Sequence, residues 1–177
     1  MMKHQDIIFT NSVAERLSSM IESMNCSGTF ILVDENTDNH VLSKIVGKFP
    51  AIDNAAVIKV KPGDVNKNLD SLVHIWNELQ RAGANRRSLM VNLGGGMVTD
   101  MGGFAAATFK RGIHFINVPT TLLSAVDAAV GGKTGINFNG LKNEIGSFRE
   151  ADAVIISTCF LDTLPVAVSY THLRAHE

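Results

Sequence analysis

Between Leu93 and Phe148 the chain carries Leu93-Gly-Gly-Gly-Met-Val-Thr-Asp100, Lys110-Arg-Gly112, Val118-Pro-Thr-Thr-Leu122, Asp127, Gly131-Gly-Lys-Thr134, and Lys142-Asn143 ahead of Gly146. Read in order, these are four separate turns with glycine or a hydroxyl, three of them beside a cation. Such a set suits phosphate. Glycine lets a backbone turn sharply and brings its N–H groups within reach of an anion, and a helix that follows adds the positive end of its dipole. The formal net charge is −1, so an anionic partner must be met by local cations such as Lys110, Arg111, Lys133 and Lys142. That points to a small anion and away from nucleic acid.

Each residue alone has a plainer reading. Lys142 and Arg111 are of the kind that solubilises a surface, and Asp127 of the kind that sits on a helix surface or caps one. Asp100, placed by the pattern in the first turn of a helix, is a helix-start residue or a ligand contact. A glycine triplet by itself marks a tight turn, and the Gly-x-Gly-x-x-Gly fingerprint soon after a first strand is absent. Here a strand precedes the triplet, a small-residue helix follows it and Asp100 lies beside it, which together favour a nucleotide site.

The elements that must position these groups alternate. Residues 7–10 form a short strand candidate, and residues 12–24 place Val13, Leu17, Met20, Ile21 and Met24 at helical spacing. Residues 29–33 and 55–60 are continuous β-rich apolar runs, as expected of strands buried on both faces of a parallel sheet. After the turn at Pro62-Gly-Asp64 comes a helix through Leu69, Leu72, Val73, Ile75, Trp76 and Leu79 that closes near Gly83. Residues 88–93 enter the glycine triplet as a further strand. Residues 97–109, with Gly102, Gly103 and three alanines, form the helix after it, and residues 114–118 and 153–157 complete the strand set. Strands alternating with helices predict an α/β, Rossmann-like doubly wound and mostly parallel sheet with ligands at the carboxyl ends of its strands.

A chain of 177 residues supports one domain with a real core, and 45% hydrophobic with 19% charged residues is ordinary for a globular protein. Cys26 and Cys159 form no Cys-x-x-Cys and no disulfide framework, and no segment reaches the roughly 18 apolar residues of a membrane helix. With no secretory leader pattern at the N-terminus, the expected location is cytoplasmic, with no membrane partner. Met20, Met24, Met97 and Trp76 read as core or packing residues, and His40, His74 and His114 as non-ligands.

Residues 94–165 resemble 3-dehydroquinate synthase, the NAD-dependent cyclase family of the shikimate pathway. The resemblance rests on Gly94-Gly-Gly-Met-Val-Thr-Asp100, Arg111-Gly112, Pro119-Thr-Thr-Leu-Leu123, Val126-Asp127, Gly131-Gly-Lys-Thr-Gly-Ile-Asn137, Lys142-Asn143 with Ile145-Gly146, and Leu161-Asp-Thr-Leu-Pro165. It implies NAD held by Asp34 and Asn36, by Gly63, Asp64 and Lys67 of the first turn, by Gly95, Gly96, Met97, Val98, Thr99 and Asp100, by Thr120 and Thr121, by Lys133 and Lys142, and by Phe160, Leu161, Asp162 and Thr163. Asp34 also stands where an ionised oxygen pairs with the two ribose hydroxyls. Where the family has Gly-Glu this chain has Gly63-Asp64, one methylene shorter. The resemblance further implies a sugar-phosphate substrate bearing a carboxylate, met by Arg111, Lys133, Lys142 and Asn143, with Asp127 as the active-site aspartate; arginine offers a planar fork and lysine a point charge.

The family also implies a homodimer and a divalent metal, zinc or cobalt, held by a glutamate and two histidines in a helical C-terminal domain. Here Pro165 is followed by residues 166–177, which match no family motif and are set aside as frame-shifted or assembly-derived sequence. That leaves residues 1–165 as the NAD-binding domain, the metal domain missing and no metal ligand assigned. His172 and His176 only imitate a helical pair. Such a chain alone is expected to bind NAD weakly or not at all and to show no turnover. Three other readings stay open: another sugar-phosphate cyclase, a glycerol-dehydrogenase-like polyol dehydrogenase, and a nucleotide-binding module without catalysis.

Overall fold

The structure is a computed structural model and describes residues 5–163. Six strands form one all-parallel sheet: β1 (Asp6–Phe9), β2 (Thr29–Asp34), β3 (Ala56–Val60), β4 (Leu89–Gly94), β5 (His114–Pro119) and, after the hairpin described below, β8 (Ala153–Ile156). Their spatial order is β1-β8-β5-β4-β2-β3. Side chains alternate across the sheet, and both faces are covered. Phe30 and Leu32 of β2 join one apolar cluster, while Ile31 and Val33 join the other.

Helix α1 (Val13–Met24) covers the second cluster with Val13, Leu17 and Ile21, as the 3.6-residue spacing predicts. Two short helices, α2 (Glu35–His40) and α3 (Pro50–Asp53), follow β2; the sequence hints only at the first, through a helical surface setting for His40. Their sequences are too short to show a period. On the opposite face lies α4 (Leu69–Arg81), through Leu72, Ile75 and Leu79; Trp76 is only half-buried against that cluster. The chain leaves β2 for β3 on one side and returns to β4 on the other, so the direction of winding reverses between β2 and β4. Open α/β sheets bind ligands in the crevice at that reversal.

Helix α5 (Gly96–Thr108) is apolar all round, which is possible only because it is covered on two sides. On its inner side a Cβ at Gly102 would sit 2.0 Å from Asn92 Oδ1 of β4, and on its outer side a Cβ at Gly103 would sit 2.5 Å from Thr134 Cγ2. The outer cover is an antiparallel hairpin, β6 (Lys133–Phe138) and β7 (Leu141–Phe148). It corrects the reading of Gly131-Gly-Lys-Thr134 and Lys142-Asn143 as two phosphate turns, because Lys133, Lys142 and Asn143 lie in strands. Asn139 and Gly140, both at positive φ, make the two-residue turn between them.

Candidate functional site

At the carboxyl ends of β4 and β5 the first turn of α5 offers its amides without competition. Gly95 is the residue before the helix and supplies no side-chain cap. A Cβ there would stand 3.2 Å from Thr121 Cγ2, so a larger residue would narrow the approach. Thr120 N donates to Gly94 O at 3.0 Å, which binds the two strand ends together, and Thr121 Oγ1 shares a 2.9 Å hydrogen bond with Ser124 Oγ. Across the reversal crevice, Asp34 Oδ1 accepts from Thr37 N at 2.7 Å and caps α2. Its Oδ2 takes no part in that cap. Asn36 is exposed in that helix.

Several expected contacts take a different place. Asp100 is one turn deeper than the first turn of α5, where no acidic residue occurs. The side chains of Val98 and Thr99 are buried; Thr99 Oγ1 bonds back to Gly96 O at 3.2 Å, so only their backbones can meet a ligand. Met97 is half-buried. Phe160 is fully buried in the second cluster, Leu161 is half-buried and Asp162 is exposed, all in a short helix after β8 that ends at Thr163. Arg111 is not brought to the site within this chain. It follows α5 at the amino end of β5, beyond the roughly 12 Å of helix rise that separates Asp100 from the end of α5 at Thr108.

A cleft of about 570 Å³ opens between the start of α5, the π-helical turn Ser124–Ala128 and the hairpin. Asp100, Asp127, Lys133 and Asn143 line it together with Glu144 and Ser147. The last two carried no sequence signal beyond the β-alternation of the hairpin. At the rim the loop Asp64–Asn66 meets β7, where Lys142 Nζ pairs with exposed Asp64 Oδ2 at 3.0 Å; Gly63, at φ +95°, turns the chain there. Lys67 lies deeper. Its ammonium, on a residue only 4% exposed, donates to Asp100 Oδ2 at 2.6 Å and to Asn143 Oδ1. Burial raises the Asp100 pKa above the ordinary carboxylate value; Lys67 pulls it down, and Asp127 and Asp64 push it up again.

Among the described residues no three His, Cys, Asp or Glu side chains gather to hold a metal ion. His114 Nδ1 lies 3.1 Å from Asp152, a pairing at the amino edge of the sheet. His172 and His176 lie outside the described residues. No described helix is long and apolar enough to cross a membrane, and Cys26 and Cys159 are free thiols.

A parallel sheet with a winding reversal, beside an uncapped helix start and a cleft lined by Lys133, Asn143 and three carboxylates, defines an α/β domain of the doubly wound class. The chain belongs to the 3-dehydroquinate synthase family, whose N-terminal description matches residues 57–170. It is 51% identical to a 3-dehydroquinate synthase of Parabacteroides distasonis over 163 residues, which are 92% of this chain and 46% of that relative. The chain thus spans about half the length of the relatives it matches. Among solved structures it is similar to a 2-deoxy-scyllo-inosose synthase complexed with carbaglucose-6-phosphate, NAD+ and Co2+, at TM-score 0.80 and 26% identity over 87% of this chain and 43% of that one. A 2-epi-5-epi-valiolone synthase from Streptomyces hygroscopicus subsp. jinggangensis 5008 shares the fold at TM-score 0.86 and 22% identity, covering 96% and 47% of the two chains.

Proposed function

We propose that this chain forms the NAD-binding and anion-binding half of a 3-dehydroquinate synthase, the enzyme that converts 3-deoxy-D-arabino-heptulosonate 7-phosphate to 3-dehydroquinate and phosphate. The observation that carries this reading is the convergence of Lys133, Asn143, Asp100 and Asp127 on one cleft beside the uncapped start of α5. On this reading residues 1–165 are the domain concerned, and the enzyme works as a cytoplasmic homodimer.

The residues present fit a dinucleotide. Asp34 Oδ2 accepts from ribose hydroxyls, with Asn36 beside it, and the amides of Gly95, Gly96 and Met97 meet the diphosphate, flanked by Thr120 and Thr121. Gly63, Asp64 and Lys67 shape the far wall, while the backbones of Leu161, Asp162 and Thr163 lie at the end of β8. What NAD would supply when bound is reversible acceptance of a hydride from the carbinol carbon. Lys133 and Lys142 neutralise phosphate and carboxylate, Asn143 orients an oxygen between them, and Asp127 accepts from a ring hydroxyl. No metal-dependent step is assigned to these residues.

Calorimetry with this chain tests the reading. NAD+ is expected to bind weakly but saturably, and the heptulosonate phosphate to bind competitively with inorganic phosphate. Lys133→Met should remove the second and weaken the first only in part, since the resemblance places Lys133 among several groups that hold NAD. A polyol dehydrogenase would instead respond to glycerol and ignore phosphate. No heat with either anion would count against the proposal, and NAD+ binding alone would favour the module without catalysis.

A further inference from the structure

The hairpin register breaks where the site residues lie. Ile136 pairs with Ile145 and Phe138 with Leu141, so Lys142, Asn143 and Glu144 stand opposite the single residue Asn137. Two extra residues make a bulge, and Asn143 takes φ +54° within it. Left-handed backbone costs a non-glycine residue about 1 kcal/mol or more and persists only when its surroundings enforce it. Four hydrogen bonds hold the bulge and the facing Asn137, three of them from the loop after β3. Asn137 N donates to Lys67 O at 2.8 Å and Asn137 Nδ2 to Asp64 O at 3.1 Å, while Asn143 N donates to Asn137 Oδ1 at 3.0 Å. The fourth is Lys67 Nζ, which bridges Asn143 Oδ1 to Asp100 of α5.

We infer that Lys67 is a positioning residue. Its buried ammonium locks the bulge of β7 onto α5 and fixes which end of the Asn143 amide faces a ligand. An ammonium is donor-only, so it must take Oδ1 and leave the two N–H donors of Nδ2 for the cleft. Asn143 is thereby set to recognise an acceptor such as a phosphate, carboxylate or carbonyl oxygen. The lock joins segments 33 and 76 residues from Lys67 in sequence. The choice of ligand rests on the proposed function, whereas the lock does not.

Hydrogen exchange on the full chain separates the two. Lys67→Met and Asn143→Gly should each speed exchange of the amides in residues 136–146 about tenfold or more, the scale of one lost charge-assisted hydrogen bond, with no further gain in the double variant. Asn143→Gly preserves the positive φ, so its effect reads the lost side chain. Asn143→Asp keeps both the acceptor and tolerance of that φ, and should exchange at the wild-type rate while losing affinity for inorganic phosphate. Unchanged exchange in Asn143→Gly, or equal loosening by Asp and Gly, overturns the lock even where Lys67→Met fails to fold. A wild-type chain that ignores phosphate yet shows the exchange pattern keeps the lock and removes only the proposed ligand.

Discussion

Asp100 is paired with Lys67, yet burial leaves the carboxyl holding its proton more tightly than usual. The sign of the pH dependence follows. A carboxyl whose folded pKa exceeds its unfolded value of about 3.9 makes the fold less stable as pH rises through that interval, and the cost is then constant above the folded value. A carbon-detected NMR titration should find the Asp100 midpoint above the ordinary range, and Lys67→Met should move it further up, since Lys67 is the group pulling it down. A midpoint at or below the ordinary value would refute the account. Asp34 allows a cleaner separation of roles. Asn caps as well as Asp, so Asp34→Asn should keep the α2 cap and the melting temperature while weakening NAD+ binding; Asp34→Ala should lose both, with about 1 kcal/mol of stability. Thermal melts beside calorimetry decide this. At this scale the place of Asp34 was legible, because a carboxylate that ends a buried strand has a local signature. The Lys67 bridge was not, since its partners come from an unrelated helix and strand, and neither was the distance of Arg111 from Asp100, because a motif carries no information about the 13-residue helix beneath it.

The elements divide along a similar line. Strands β2, β4, β5 and β8 and helices α1 and α4 follow from apolar runs and 3.6-residue spacing, and the structure shifts their ends by a residue or two. The hairpin was missed although its signals were present. Asn139-Gly140 is a strong two-residue hairpin turn, and Ile136 and Phe138 alternate with polar residues, but the glycines and lysines of the same stretch also fit a phosphate loop and mask it. Glycine here serves close packing more than phosphate. A Cβ at Gly146 would stand 2.0 Å from Thr134 O across the hairpin, as one at Gly102 would from Asn92 Oδ1. Asn92 is fully buried, its Nδ2 donates to Asn117 Oδ1 at 2.9 Å, and its Oδ1 has no hydrogen-bond partner, so that oxygen cannot retreat toward a compensating donor. Gly102→Ala should therefore cost about 1–3 kcal/mol despite the better helix propensity of alanine. A melting temperature lowered by about 3–10 °C is the expected reading. A rise would mean that α5 can lift from the sheet freely.

On the scale of the whole molecule, the doubly wound sheet buries its strands on both faces and keeps β4 central, so the crevice rests on the most protected part of the fold. The hairpin is its opposite. It is anchored through Thr134 and Ile136 to α5, while β7 has a partner on one side only and exposes Leu141, Ile145 and, at 89%, Phe148. An unpaired strand edge with apolar side chains is a template for association, and a net charge of −1 provides little repulsion to oppose it. Such side chains contribute almost nothing to the fold, because they are not removed from water. Phe148→Lys should therefore leave the melting temperature within about 0.5 kcal/mol equivalent of the wild type and reduce concentration-dependent association in light scattering. The lysine acts in two ways, by deleting the apolar contact and by charging the edge. Phe148→Ser deletes the contact alone and should give a smaller reduction. If both variants associate as the wild type does, the sticky surface lies elsewhere, with exposed Phe9 on edge strand β1 the next site to alter.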